Sequence, residues 1–91
     1  MPRIAIVGSG LIGRAWATVF SSHGFDVALY DVKPEAAKAA RAHIGKNLRE
    51  LAGHGLVSDP KGALARIRVA ADLADGLKGA ALVQENGPET I

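Results

Sequence analysis

The residues able to do chemistry stand in one decade: Ile4-Ala5-Ile6-Val7-Gly8-Ser9-Gly10-Leu11-Ile12-Gly13, with a carboxylate, Asp31, about twenty residues further on. An apolar run, glycines in a G-x-G-x-x-G spacing and the start of an amphipathic helix form a backbone cradle for a diphosphate. Gly8 lets the chain leave the strand through dihedrals that a Cβ penalises. Gly10 removes a side chain that would hold a diphosphate off the backbone, and Gly13 lets the helix pack closely. Ser9 belongs to the same turn. The free amides near Leu11 and Ile12 then meet the phosphates at the positive end of the helix dipole. Asp31 follows Asp26-Val27-Ala28-Leu29-Tyr30 and can accept hydrogen bonds from both hydroxyls of an adenosine ribose. Its charge repels a 2′-phosphate, which favours NAD over NADP, although Lys33 tempers that preference.

These residues need a sheet to hold them. The apolar pattern predicts strands at Arg3–Val7, Asp26–Tyr30, Ile67–Ala70 and Ala80–Gln84. The first helix runs from Leu11 to His23, with Gly24 past its end. A second starts at Pro34, carries the stripe Ala37, Arg41, Ile44, Leu48 and Leu51, and stops at Gly53 or Gly55. Short helices follow Ser58-Asp59-Pro60 and Asp72 or Asp75. Alternation of strands and helices predicts an α/β fold, the N-terminal part of a Rossmann-type doubly wound parallel sheet, in strand order 3-2-1-4. The glycine turn, Asp31 and the segment Glu85–Glu89 then share the carboxyl edge of the sheet.

Composition narrows the function. Ninety-one residues make at most one small domain, and 48% apolar content suffices for a core. With no cysteine, thiolate metal sites and disulfides are excluded and a cytoplasmic location is the default. A net charge of +2, spread along the chain, with one Trp and one Tyr, argues against nucleic acid as a partner. No apolar run reaches membrane-span length. His23, His43 and His54 lack an acid or nucleophile at catalytic spacing and read as surface or capping residues. Trp16 reads as packing. Arg14, directly after Gly13, is either an aid in holding anionic groups or a solvated helix position. Glu89 is a cofactor contact or a helix first-turn acid. A full dinucleotide fold needs a second mononucleotide-binding half, so 1–91 reads as the first part of a longer enzyme.

The run Val7-Gly8-Ser9-Gly10-Leu11-Ile12-Gly13-Arg14-Ala15-Trp16-Ala17, the strand end Leu29-Tyr30-Asp31 and Val83-Gln84-Glu85-Asn86-Gly87-Pro88-Glu89 together resemble the 3-hydroxyacyl-CoA dehydrogenase family. The similarity is greatest to its lambda-crystallin and L-gulonate 3-dehydrogenase-like branch. The resemblance implies NAD-dependent oxidation of a 3-hydroxyl on an acyl-CoA or a free hydroxy acid. It places Leu11 and Ile12 at the diphosphate, Asp31 at the ribose and Glu89 at the cofactor. It also implies a homodimer, with the catalytic residues and a helical C-terminal domain outside this sequence, so that no catalytic residue is assigned and the 91 residues alone catalyse nothing. Carnitine-type and 2-hydroxyacid dehydrogenases share such a first half. A non-catalytic NAD-binding protein, redox-sensing or crystallin-like, is the alternative. A methyltransferase binding S-adenosylmethionine is a third, opposed by Gly13.

Overall fold

The computed structural model describes residues 2–86. Their order is β1 (Arg3–Val7), α1 (Leu11–Ser22), β2 (Asp26–Tyr30), α2 (Pro34–Gly53), α3 (Pro60–Ala65), β3 (Ile67–Val69), α4 (Leu73–Leu77) and β4 (Ala80–Glu85). The four strands form one sheet in the order β3-β2-β1-β4, and every pairing is parallel. The expected architecture holds. Three boundaries differ by a single residue: α1 and β3 end one earlier than expected and β4 one later. His23 is instead the cap of α1, and Gly24, at φ +92°, closes the end with Phe25 N–H donating to the Phe20 carbonyl at 3.1 Å.

Period-two alternation sorts the strands' side chains onto two faces. Ile4, Ile6, Val27, Leu29 and Ile67 turn one way and meet Ala17 of α1, Ala40, Ile44 and Leu48 of α2, and Ala63 of α3 in a single core. Ala5 and Ala28 turn the other way and are fully enclosed. On that side the short α4 packs on β1 and β2, and Gly76 comes within reach of the Tyr30 Cβ.

The stripe on α2 is shifted from the expected one. Ala37, Ala40, Ile44, Gly45 and Leu48 are buried, whereas Leu51 is only half-buried. Arg41 stays on the inner side because its guanidinium ties down the α3–β3 segment, donating to the Ile67 carbonyl at 2.8 Å and the Leu64 carbonyl at 3.0 Å. The caps of the short helices are as their sequences suggest. Asp59 accepts from the Gly62 amide at 2.9 Å, and Asp72, rather than Asp75, accepts from the first turn of α4 at 2.7 Å. Trp16 stacks on Phe20 with centroids 5.6 Å apart, yet 39% of it remains exposed. No helix among the described residues is long and apolar enough to cross a membrane.

Ile44 and Leu48 have no exposed surface, so α2 is seated by them. Leu48→Ala is expected to cost about 2–5 kcal/mol, a large share of the ~5–15 kcal/mol typical of a domain. Urea unfolding measures it; a loss below about 1 kcal/mol would show that α2 is not docked as described.

Candidate functional site

Register puts the chemistry in one row. Val7 of β1 pairs with Tyr30 of β2 and with Glu85 of β4, so the next residues, Gly8, Asp31 and Asn86, leave the sheet side by side. Two bonds carry the ladder one step further. The Gly8 amide donates to the Tyr30 carbonyl and the Asn86 amide to the Val7 carbonyl, both at 2.8 Å. Beyond this edge lies a cleft of about 840 Å³, lined by residues 7–13, 30–32, 85 and 86. It takes in Gly8, Ser9, Gly10, Leu11, Ile12, Gly13 and Asp31. Glu85, the last residue of β4, lines it too. Glu89 lies outside the described residues.

The three glycines differ physically. Gly8 has φ +98°, and a Cβ on it would overlap the Asn86 carbonyl. A Cβ on Gly13 would overlap the Gly8 carbonyl and press on the Asn86 side-chain amide at 3.2 Å. Its role is therefore to bring α1 against the turn's own backbone, a tighter demand than packing on the sheet. Gly10 is unlike both. Its φ is −69°, which any residue adopts, and a Cβ there would meet nothing within 4 Å. Nothing in the packing of the described residues asks for glycine at position 10.

Gly10 is also the N-cap of α1, and it has no side chain to satisfy the helix's first amides. No acidic residue stands in the first turn either. Leu11 and Ile12, 69% and 52% exposed, begin the helix at the cleft. The amino end of α1 thus presents unpaired donors and a positive dipole end to open space.

Asp31 is held facing that space. Its Oδ2 accepts from the Ser9 amide at 2.9 Å and the Ser9 hydroxyl at 2.6 Å, and Oδ1 accepts from the Lys33 amide at 3.0 Å. Partial burial raises its pKa, but the Ser9 hydroxyl, the two amides and the Lys33 charge outweigh burial. They hold the carboxyl below its ordinary range. It is a fixed anion at neutral pH. Sequence reasoning missed this strut between the glycine turn and β2. It also missed Asn86, whose side-chain amide donates to the Val7 carbonyl at 3.3 Å. Both depend on strand register, which has no local signature.

Arg14 reaches a second groove, of about 470 Å³, between the glycine turn, the end of β2 and α2. Its Nε is buried with no hydrogen-bond partner among the described residues. His43 lines the same groove, whereas His23 bonds locally at the end of α1, its Nδ1 donating to the Val19 carbonyl at 2.8 Å.

The model of the 3-hydroxyacyl-CoA dehydrogenase NAD binding domain matches residues 3–91. The chain belongs to that family. It is 40% identical over 91 residues to a lambda-crystallin homolog of Bos taurus, covering 97% of this chain and 28% of that protein. To the L-carnitine dehydrogenase/betainyl-CoA thioesterase of Ruegeria pomeroyi it is 35% identical over 92 residues, covering 100% of this chain and 18% of that protein. Among solved structures, (S)-3-hydroxybutyryl-CoA dehydrogenase from Ralstonia eutropha superposes with a TM-score of 0.85 at 27% identity, over 100% of this chain and 32% of that one. The chain thus spans about a quarter of the length of the first of these relatives, within a family of NAD-binding oxidoreductases.

The lowered Asp31 pKa fixes a sign. Its contribution to stability is fully present above the unfolded value, about 3.9, and is lost as pH falls through the lower folded value. Asp31→Asn is expected to flatten part of the fall in melting temperature below about pH 4. Thermal melts from acid to neutral pH check it; an unchanged acid limb would mean the Ser9–Asp31 strut does not form.

Proposed function

We propose that the cleft binds NAD(H), with the diphosphate over Gly10 at the amino end of α1 and the adenosine ribose at Asp31. The observation that carries this is the idle glycine. Gly8 and Gly13 are accounted for by φ and by backbone contact, whereas the missing Cβ at position 10 leaves space, open among the described residues, at the wall of the cleft. Two further observations point the same way. The first amides of α1 lack a side-chain cap, as an anion site requires, and the Asp31 carboxylate is ionised and lines the same cleft.

Bound there, the nicotinamide supplies a hydride acceptor. This chain's residues bind and orient the cofactor: Gly8, Ser9, Gly10, Leu11, Ile12 and Gly13 form the seat, and Asp31 accepts from the ribose hydroxyls. For the whole protein we infer NAD-dependent oxidation of the 3-hydroxyl of a 3-hydroxyacyl-CoA or 3-hydroxy acid, by a homodimer whose catalytic residues and helical domain lie outside these 91. Family membership and the name of the Ralstonia relative support that substrate class. A second reading, an NAD-binding protein without chemistry, is favoured by the 40% identity to a lambda-crystallin homolog.

Calorimetric titration with NAD tests the seat. Gly10→Val is expected to stay folded, with only the cost of a poorer helix cap, about 1 kcal/mol, and to lose binding at least about tenfold, because the new side chain enters the cleft and not the core. Normal NAD binding by that folded variant would remove the diphosphate from this turn. Asp31→Ala is expected to weaken NAD roughly 10- to 100-fold, the worth of charge-assisted hydrogen bonds. Unchanged affinity would take the ribose away from Asp31.

A further inference from the structure

We propose that Asn86 is a positioning residue for the dinucleotide seat, acting through the peptide group that joins Gly8 to Ser9. The role rests on the reading of the cleft as that seat. A trans peptide is flat and rigid, so its carbonyl and its N–H point to opposite sides and turn together. The Ser9 end of this plane is held from β2, where its N–H donates to Asp31 Oδ2 at 2.9 Å. The Gly8 end is held from β4. There the Asn86 side-chain amide donates to the Gly8 carbonyl at 3.5 Å and to the Val7 carbonyl at 3.3 Å. One peptide plane is thus gripped from both strands that flank β1, and the two grips oppose the same rotation.

The plane needs the second grip. Gly8 has no Cβ and sits at φ +98°, so its own dihedrals permit the peptide that follows to turn. The Val7 carbonyl already accepts the Asn86 backbone N–H at 2.8 Å, whereas among the described residues the side-chain amide is the donor to the Gly8 carbonyl. Two carbonyl oxygens on one side fix which end of the amide faces them, because its NH2 is the end that donates. The corner is also closed sterically. A Cβ on Gly13 would press on Asn86 Nδ2 at 3.2 Å, and one on Gly8 would overlap the Asn86 carbonyl. Asn86 therefore fills the angle between the turn and α1 that the two glycines open. Both side-chain bonds are long, so their worth lies in direction more than in strength. When the plane turns, the Ser9 N–H leaves Asp31 and the carboxylate loses a donor that lowers its pKa. The turn that carries Gly10 then shifts under the diphosphate.

Calorimetry with NAD, and NMR titration of the Asp31 carboxyl in the ligand-free chain, test this role. The variants are Asn86→Ala and Asn86→Leu, which lack the donor, and Asn86→Gln, which keeps it. Both donor-less variants are expected to weaken NAD about three- to tenfold, the worth of one neutral hydrogen bond, and Asn86→Gln to recover part of the loss. Asn86→Leu keeps most of the volume, so a loss caused by an emptied corner alone is absent from it. The ligand-free Asp31 carboxyl is expected to titrate at higher pH in the donor-less variants than in the wild type. On an Asp31→Ala background the effect of Asn86→Ala on NAD is expected to shrink below about twofold, because the strut it acts through is gone. A residue that only stabilises the fold lowers the melting temperature, leaves the Asp31 titration where it is and adds its loss to that of Asp31→Ala. That pattern overturns the proposal, as does unchanged NAD affinity in both donor-less variants, and either result leaves wild-type NAD binding and the seat standing. Failure of the wild type to bind NAD at all overturns the seat and, with it, this role of Asn86.

Discussion

At the start of α1, backbone rests on backbone: the Gly8 carbonyl occupies the space where a side chain at residue 13 would begin. That approach fixes the angle at which the helix leaves the sheet. It also forces the turn to be made in three residues, with Gly8 at positive φ and Gly10 as cap. Once the helix is placed so close, its first amides stand directly over the end of β1, and their dipole faces the row formed by Asp31 and Asn86. A site for a diphosphate is then a consequence of packing, since no lysine or arginine of the turn is required to hold the charge.

The carboxylate at the other side of the row does two tasks with one charge. The short bond from the Ser9 hydroxyl, at 2.6 Å, and the amide bonds beside it lock the turn to β2. The same donors lower the pKa of Asp31 and keep it ionised, so that it still has lone pairs to offer a ribose. Stability and recognition are coupled through this group. A substitution at Asp31 therefore moves both the acid stability of the domain and its affinity for a dinucleotide, and the two can be separated only by comparing an isosteric amide with a truncated side chain.

Most of the fold was legible in the sequence because its periodicities are local. Each strand is a compact apolar run, α2 has a Pro start and a glycine stop, and Asp59 and Asp72 announce the helices they cap. What was not legible depends on distance along the chain. Ser9 and Asp31 are joined across 22 residues, and Asn86 reaches Val7 across 79. Those contacts exist only because β1 pairs in register with both β2 and β4. The stripe on α2 was misjudged at Leu51 for a similar reason: what is buried there is set by where α3 and β3 return, and Arg41 is drawn inward by their carbonyls.

The glycines show how far a motif can be taken. Read as letters, Gly8, Gly10 and Gly13 are equivalent parts of one signature. Read as volumes, two of them are required by the protein itself and would be required in a protein that bound nothing. Of these three, Gly10 alone has neither a demanding φ nor, among the described residues, a neighbour for its absent Cβ, and so it is the one of the three that carries information about a ligand. Arg14 gives the converse case, a group whose hydrogen-bonding capacity exceeds what its surroundings use. Unused space beside unused donors, on the two sides of one ionised carboxylate, is what marks this edge of the sheet as a binding surface for a phosphorylated nucleotide.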